Sequence, residues 1–373
     1  MLDSLTRPFP PYRLMPAEQW APPPGVRIIS TDEHFGEALN LWVDWLPAKF
    51  RDRAPQWFRD DGGDLRFIVE GRDLSVRGIS EDVGTGLAGY WDLEKRLTDM
   101  DAERIDVSFM FGGVTLALTS LADQELYFAC MDAYNEWLIE TLHPARDRLI
   151  AVANLPTLYK PEATRDYIQK LKALGCRAIQ LPSYPRDVRY NSKAMEPMWA
   201  AIAESGIPLQ FHVGAQQPIR GTGAILANIT HNLGCFRPLL AQLVFSGILD
   251  RHPELKVVFT EGGATWAAQA IVDMDFIAKS FGGLMDGELT PKLGMLPSEY
   301  WRRQCYLSFM EDLPAMRLLD IIGEDNVTWG SDYPHAESTW CHSLETLEAH
   351  WNLIGPEAGA KLLGGNAARL WHL

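Results

Sequence analysis

The chain is poor in the residues that would cross-link it or draw it to a polyanion. Its 373 residues include only five cysteines, Cys130, Cys176, Cys235, Cys305 and Cys341, scattered and without Cys-x-x-Cys spacing. An odd, dispersed set makes a poor disulfide framework and a poor structural zinc site, so free, mostly buried thiols are expected. Basic residues are in deficit: 34 Lys and Arg stand against 49 Asp and Glu, for a formal net charge of −15. That balance excludes a nucleic-acid partner, which would demand basic patches. No apolar run reaches the roughly 18 residues of a membrane span. Met1 to Pro8 lacks the apolar segment of a secretory signal, which points to a cytoplasmic protein.

What is present is a repeating pattern. Short apolar runs at 28–31, 105–110, 149–155, 178–182, 208–212, 256–261, 305–308 and 327–329 alternate with helical stretches such as Gln124–Thr141, Pro161–Leu174 and Met195–Glu204. Repeated βα units at this spacing predict a parallel sheet, and eight of them predict closure into a (β/α)8 TIM barrel. An open doubly wound sheet would carry a Gly-rich phosphate turn after its first strand. Asp32-Glu33-His34 occupies that place instead. The expected organisation is one barrel domain over 1–373, with a proline-rich N-terminal arm over 1–25. An insertion over about 46–97, between strands one and two, is expected to cover the barrel mouth and contains a hairpin-like stretch at 64–71. The Gly-, Gln- and Asn-rich stretch 214–236 reads as a long functional loop.

Candidate chemistry collects at the ends of these runs. Asp32 and His34 share a strand face by alternation, while Glu33 points the other way. His212 ends strand five, Glu261 ends strand six and Asp332 follows strand eight in Trp329-Gly330-Ser331-Asp332-Tyr333-Pro334-His335. Each has an ordinary alternative: a turn residue, a satisfied core histidine, a salt-bridged strand end or a helix N-cap. Jointly they occupy the barrel face where catalytic residues sit. Asp32, His34, His212 and Asp332 would make a site of two imidazoles and two carboxylates, suited to zinc, manganese or iron. Glu261 would orient or deprotonate a metal-bound water, and His335 would stand beside the ligands. Arg220 can receive a substrate carboxylate, and Trp57, Trp266 and Trp340 permit a flat aromatic ligand. Strand four, Arg177 to Leu181, holds no lysine to bridge two ions, which favours one divalent ion, zinc first.

The chain resembles the amidohydrolase superfamily, in the branch related to aminocarboxymuconate-semialdehyde decarboxylase. The resemblance rests on the motifs at 100–107, 247–256 and 329–335 and on Gly365-Asn366-Ala367-Ala368-Arg369-Leu370. It implies a mononuclear metal barrel with ligands at His34, His212 and Asp332. Relatives of this kind often pair, so a homodimer is expected, with the apolar stretch Leu239–Phe245 either in its interface or packed on the barrel. Two positions depart from the decarboxylase pattern: Asp32 and Glu261 stand where histidines are usual. The expectation is therefore a hydrolase of a small organic acid, amide or lactone using a metal-activated water. The alternative is a metal-dependent non-oxidative decarboxylase of a small, possibly aromatic, acid.

Overall fold

The computed structural model describes residues 19–61, 65–73, 87–185, 187–214, 219–284, 287 and 290–373. Eight parallel strands run in chain order around the molecule: β1 (Ile29–His34), β5 (Val107–Phe111), β6 (Leu149–Asn154), β7 (Ala178–Pro182), β8 (Leu209–His212), β9 (Val257–Thr260), β10 (Cys305–Phe309) and β11 (Val327–Trp329). The last strand returns to the first. Asp332 N–H donates to the Asp32 carbonyl at 2.9 Å and His34 N–H to the Tyr333 carbonyl at 2.8 Å. The result is the expected TIM barrel. Most of the expected N-terminal arm lies outside the described residues. All five cysteines are buried thiols outside any disulfide, and no described helix is long and apolar enough to cross a membrane.

Alternation along the strands fills the lumen in layers. Val107, Phe109, Ile150, Val152, Ala178 and Val258 pack together and meet Ala367, Leu370 and Trp371 of the C-terminal helix Asn366–Trp371. The Phe109 and Trp371 rings lie 4.5 Å apart, so this helix stoppers one end of the barrel. One step toward the other end the lumen turns polar. Thr31 Oγ1 lies 2.8 Å from Ser308 Oγ and 3.0 Å from Thr328 Oγ1, and Gln210 Nε2 donates to the Thr31 carbonyl. Two residues beyond Gln210, on the same face, stands His212.

The insertion after β1 carries its own three-stranded antiparallel sheet, β2 (Gln56–Arg59), β3 (Leu65–Val69) and β4 (Arg72–Asp73). Phe67 anchors it between Trp42 and Trp57. The expected hairpin is thus the β3–β4 pair. One other expectation changes. The stretch after β8 is not all loop, because Ala224–Asn232 is helical; residues 215–218 lie outside the described set. Of the two alternatives for Leu239–Phe245, the structure shows packing on the barrel, with Leu239, Leu240, Leu243 and Val244 buried in the core.

Candidate metal centre

The strands deliver five ligand-capable side chains to one mouth of the barrel. β1 supplies Asp32 and His34, β8 supplies His212, and the turns after β9 and β11 supply Glu261 and Asp332. All five are buried. Glu261 (φ 69°) and Asp332 (φ 58°) both adopt the left-handed backbone region. That conformation costs a non-glycine residue about 1–2 kcal/mol and is tolerated where function fixes the geometry. The Glu261 turn is held from outside: Asp312 accepts from the N–H groups of Ala264 and Thr265 at 2.9 and 2.8 Å. Apolar-run analysis located the strands but could not show these turns.

Ligand atoms of Asp32, His34, His212 and Glu261 all lie within 4.8 Å of one another, as do those of His34, Asp332 and His335. His212 Nε2 is 2.8 Å from Glu261 Oε2 and 3.4 Å from Asp32 Oδ1, and His34 Nε2 is 3.1 Å from Asp332 Oδ1. Despite these separations, no hydrogen bond is aligned at Asp32 Oδ1, His34 Nε2, His212 Nε2, Glu261 Oε2 or either Asp332 oxygen. Buried polar atoms are normally partnered. Here six atoms lack a partner: four belong to the cluster of Asp32, His34, His212 and Glu261, and the two Asp332 oxygens adjoin it through His34, so a cation held among these groups would partner atoms that protein donors leave unmatched. The far ring nitrogens agree. His212 Nδ1 lies 2.9 Å from the Val213 carbonyl and His34 Nδ1 3.4 Å from the Gly112 carbonyl. A proton on each Nδ1 leaves an Nε2 lone pair facing inward, the tautomer a metal ligand needs.

The electrostatics follow from three buried carboxylates. Burial works against charging His212, but Glu261 and Asp32 outweigh it and hold the imidazole well above its usual range. Burial, with His335 and His212 nearby, holds His34 well below it. Burial also lifts the carboxyls of Glu261 and Asp332, reinforced by each one's carboxylate neighbours, Asp332 for the first and Asp32 for the second. His335 Nδ1 sits 2.9 Å from Asp332 Oδ1; burial opposes its charging, yet Asp332 pushes it up to about 10. The pocket therefore draws positive charge, as protons or as a metal cation.

The other expected site residues fall differently. Glu33 turns away from the centre and pairs with Arg96 at 2.9 Å; Thr31 already faces the lumen, so it is the irregularity in β1 between Ser30 and Glu33 that puts Asp32 and His34 inward and Glu33 outward. Arg220 is exposed on the loop before Ala224–Asn232. Trp266 does not face the ligands. It packs against Phe236, Phe259 and Trp301 beside the Glu261 turn, and its Nε1 donates to the Gly263 carbonyl. Trp57 belongs to the inserted sheet and Trp340 packs on Tyr333. Sequence reading missed Phe111, which walls the centre 4.7 Å from the His212 ring. It also missed Arg96: a lone arginine on an amphipathic helix carries no signal of a buried partner.

Eight parallel strands with clustered imidazoles and carboxylates at their C-terminal ends define a (β/α)8 enzyme fold with a centre for a divalent metal. The family is narrower than that class. Residues 41–373 match the amidohydrolase family model, and the chain belongs to that family. It is 22% identical over 290 residues to the 2-amino-3-carboxymuconate-6-semialdehyde decarboxylase of Dictyostelium discoideum, covering 74% of this chain and 76% of that one. Among solved structures it superposes on an amidohydrolase from Mycobacterium avium subsp. paratuberculosis K-10 with a TM-score of 0.75 at 22% identity, over 93% of this chain and 99% of that one. It also superposes on the manganese-bound 5-carboxyvanillate decarboxylase of Novosphingobium aromaticivorans with a TM-score of 0.69 at 19% identity, over 94% and 97% of the two chains.

Proposed function

We propose that this amidohydrolase-family enzyme is a metal-dependent carboxy-lyase acting on a small, flat aromatic acid. The observation that carries the metal dependence is the set of six buried ligand atoms without partners, on residues that cluster around His34. Asp32, His34, His212 and Asp332 would hold one divalent ion. Manganese becomes the first choice over the expected zinc, because two carboxylates make the site oxygen-rich and the Novosphingobium relative holds manganese. When bound, the ion would supply a Lewis acid for the substrate carboxylate and an adjacent ring oxygen. The lean toward decarboxylation rests on the relatives, two of which are decarboxylases.

The chain's own residues support a proton-delivery role. As the carbon–carboxylate bond breaks, CO2 departs and the bonding electron pair stays on the ring carbon. That carbon then needs a proton. Burial favours the neutral acid at Glu261, which suits it to donate this proton, whereas Asp332 as a ligand would be ionised. Phe111 supplies an apolar wall, and Arg220, exposed on the loop after β8, is the proposed partner of a second substrate anion. Hydrolysis remains the second reading, favoured by one observation: Glu261 stands at the ligand-lined mouth, where it would accept a proton from an attacking water if it were ionised there.

The test is turnover of a panel of hydroxylated benzoic acids by the manganese-loaded enzyme in ¹⁸O-labelled water, with exchange controls. The expected result is CO2 release with no label in the organic product. Label incorporated into the product of an ester, amide or lactone, with no CO2 formed from any acid, would replace this reading with hydrolysis.

A further inference from the structure

Outside the ligand set, one buried charge cluster touches both ends of the barrel seam. Arg96, on the helix Leu93–Ala102, is 1% exposed. Its Nη1 donates to Glu33 Oε2 at 2.9 Å and its Nε to the Gly89 carbonyl at 2.8 Å, while its Nη2 donates to the His34 carbonyl. The guanidinium also lies over the Tyr333 ring, 4.0 Å from its centroid. Glu33 uses its other oxygen to accept from Ser331 Oγ at 2.8 Å, and Ser331 Oγ accepts from Tyr333 N–H at 3.2 Å. Tyr333 Oη returns to the same helix at Asp99, 2.5 Å away. Glu33 lies between Asp32 and His34 in sequence, and Ser331 and Tyr333 flank Asp332. A single buried ion pair thus grips the residue between two ligands on the first strand and the residues on either side of a third ligand after the last strand.

We propose that Arg96 and Glu33 are positioning residues that set the separation of the β1 ligands from Asp332 and so tune metal affinity. The inference rests on the metal reading above. The barrel's other strand pairs are joined by ladders of two or more residues, with one irregularity in the β1–β5 ladder between Ser30 and Glu33, whereas β1 and β11 meet through the isolated pairing of Glu33 with Tyr333. With so little ladder at the seam, side chains must fix its width. A guanidinium suits this because its planar fork reaches a carboxylate and two backbone carbonyls at once, which an ammonium cannot.

The experiment measures Mn²⁺ affinity of the full chain by titration, and the visible spectrum of the Co²⁺-loaded protein, in four variants. Arg96→Lys and Glu33→Gln should weaken Mn²⁺ binding by about 10–100-fold, the range typical for groups that orient metal ligands. Ser331→Ala, which leaves the ion pair intact, should weaken it less and in the same direction. All three should shift the Co²⁺ bands. Lys170→Met, which removes a part-exposed pair with Asp132 far along the chain, should change neither readout. Wild-type affinity and spectrum in Arg96→Lys and Glu33→Gln would overturn the proposal. Should those two fail to fold, unchanged values in Ser331→Ala would overturn it equally. A wild-type protein that binds no Mn²⁺ would instead defeat the metal reading, and the clamp with it.

Discussion

At the scale of single residues, the centre is a conflict held in place by its surroundings. Asp32, Glu261 and Asp332 are three carboxylates brought together out of water, and two of them sit in a strained backbone region. Close approach explains why Gly330 precedes the Asp332 turn: a Cβ there would lie 2.5 Å from Asp32 Cβ. Glu261 and His212 should separate chemistry from metal binding. Glu261→Gln keeps the shape but cannot serve as acid or base, so turnover should fall by about 10²–10⁴-fold while the metal stays. His212→Ala removes a ligand and should lose most of the metal as well. Elemental analysis beside kinetics distinguishes them; full metal occupancy in His212→Ala would show that His212 is not a ligand. Asp32, His34, His212 and Asp332 were legible because each closes or follows a recognisable strand. The inward turn of Trp266 toward other aromatics was not, because a tryptophan near a loop reads alike as ligand platform and as packing.

At the scale of elements, seven of the eight barrel strands could be read from their apolar runs to within a residue or two, because a parallel strand buried on both faces leaves such a run; β1 runs three residues past its apolar run, through the polar Asp32-Glu33-His34. What the runs could not show is which distant elements share a buried group. Glu103, closing the helix Leu93–Ala102, accepts from Ser343 N–H at 2.9 Å and from Ser343 Oγ at 2.7 Å, at the start of the helix Ser343–Ala360. The partners are 240 residues apart. Burial pushes the Glu103 carboxyl from 4.5 up to about 8, the two Ser343 contacts only partly opposing it. The sign of the consequence is definite. Between those values the folded chain keeps this proton and the unfolded chain releases it, so this group's contribution to stability declines as pH rises. The decline is at most about 1.4 kcal/mol per pH unit. Glu103→Gln stays neutral throughout. Urea unfolding at pH 5 and pH 7.5 should therefore show the variant gaining on the parent at the higher pH. A pH-independent difference would mean that Glu103 ionises normally in the folded protein.

At the scale of the whole molecule, the barrel joins its first and last strands at the proposed metal site, so the residues proposed as ligands and the closure of the fold are one structure. Sequence alone placed the ends of the first and last strands at this mouth, because strands one and eight of a barrel are neighbours. It gave no view of the seam, whose few backbone bonds join Asp32 and His34 to Asp332 and Tyr333. A cation bound across that seam favours the folded state alone. At a free concentration about 100 times its dissociation constant it should add about 2.7 kcal/mol of stability. With an unfolding entropy near 2.1 cal/mol/K per residue, a chain of this size should then gain roughly 3–4 °C in apparent Tm. Chelation should abolish the gain. The complementary variant is Asp32→Asn, which relieves carboxylate repulsion but removes a ligand. In chelator it should unfold no lower than the parent, and added Mn²⁺ should raise its Tm little. That pairing separates a residue retained for metal binding from one that builds the fold. Scanning calorimetry with and without metal decides it: an Asp32→Asn protein that loses stability even in chelator would make Asp32 a structural residue of the seam rather than a ligand.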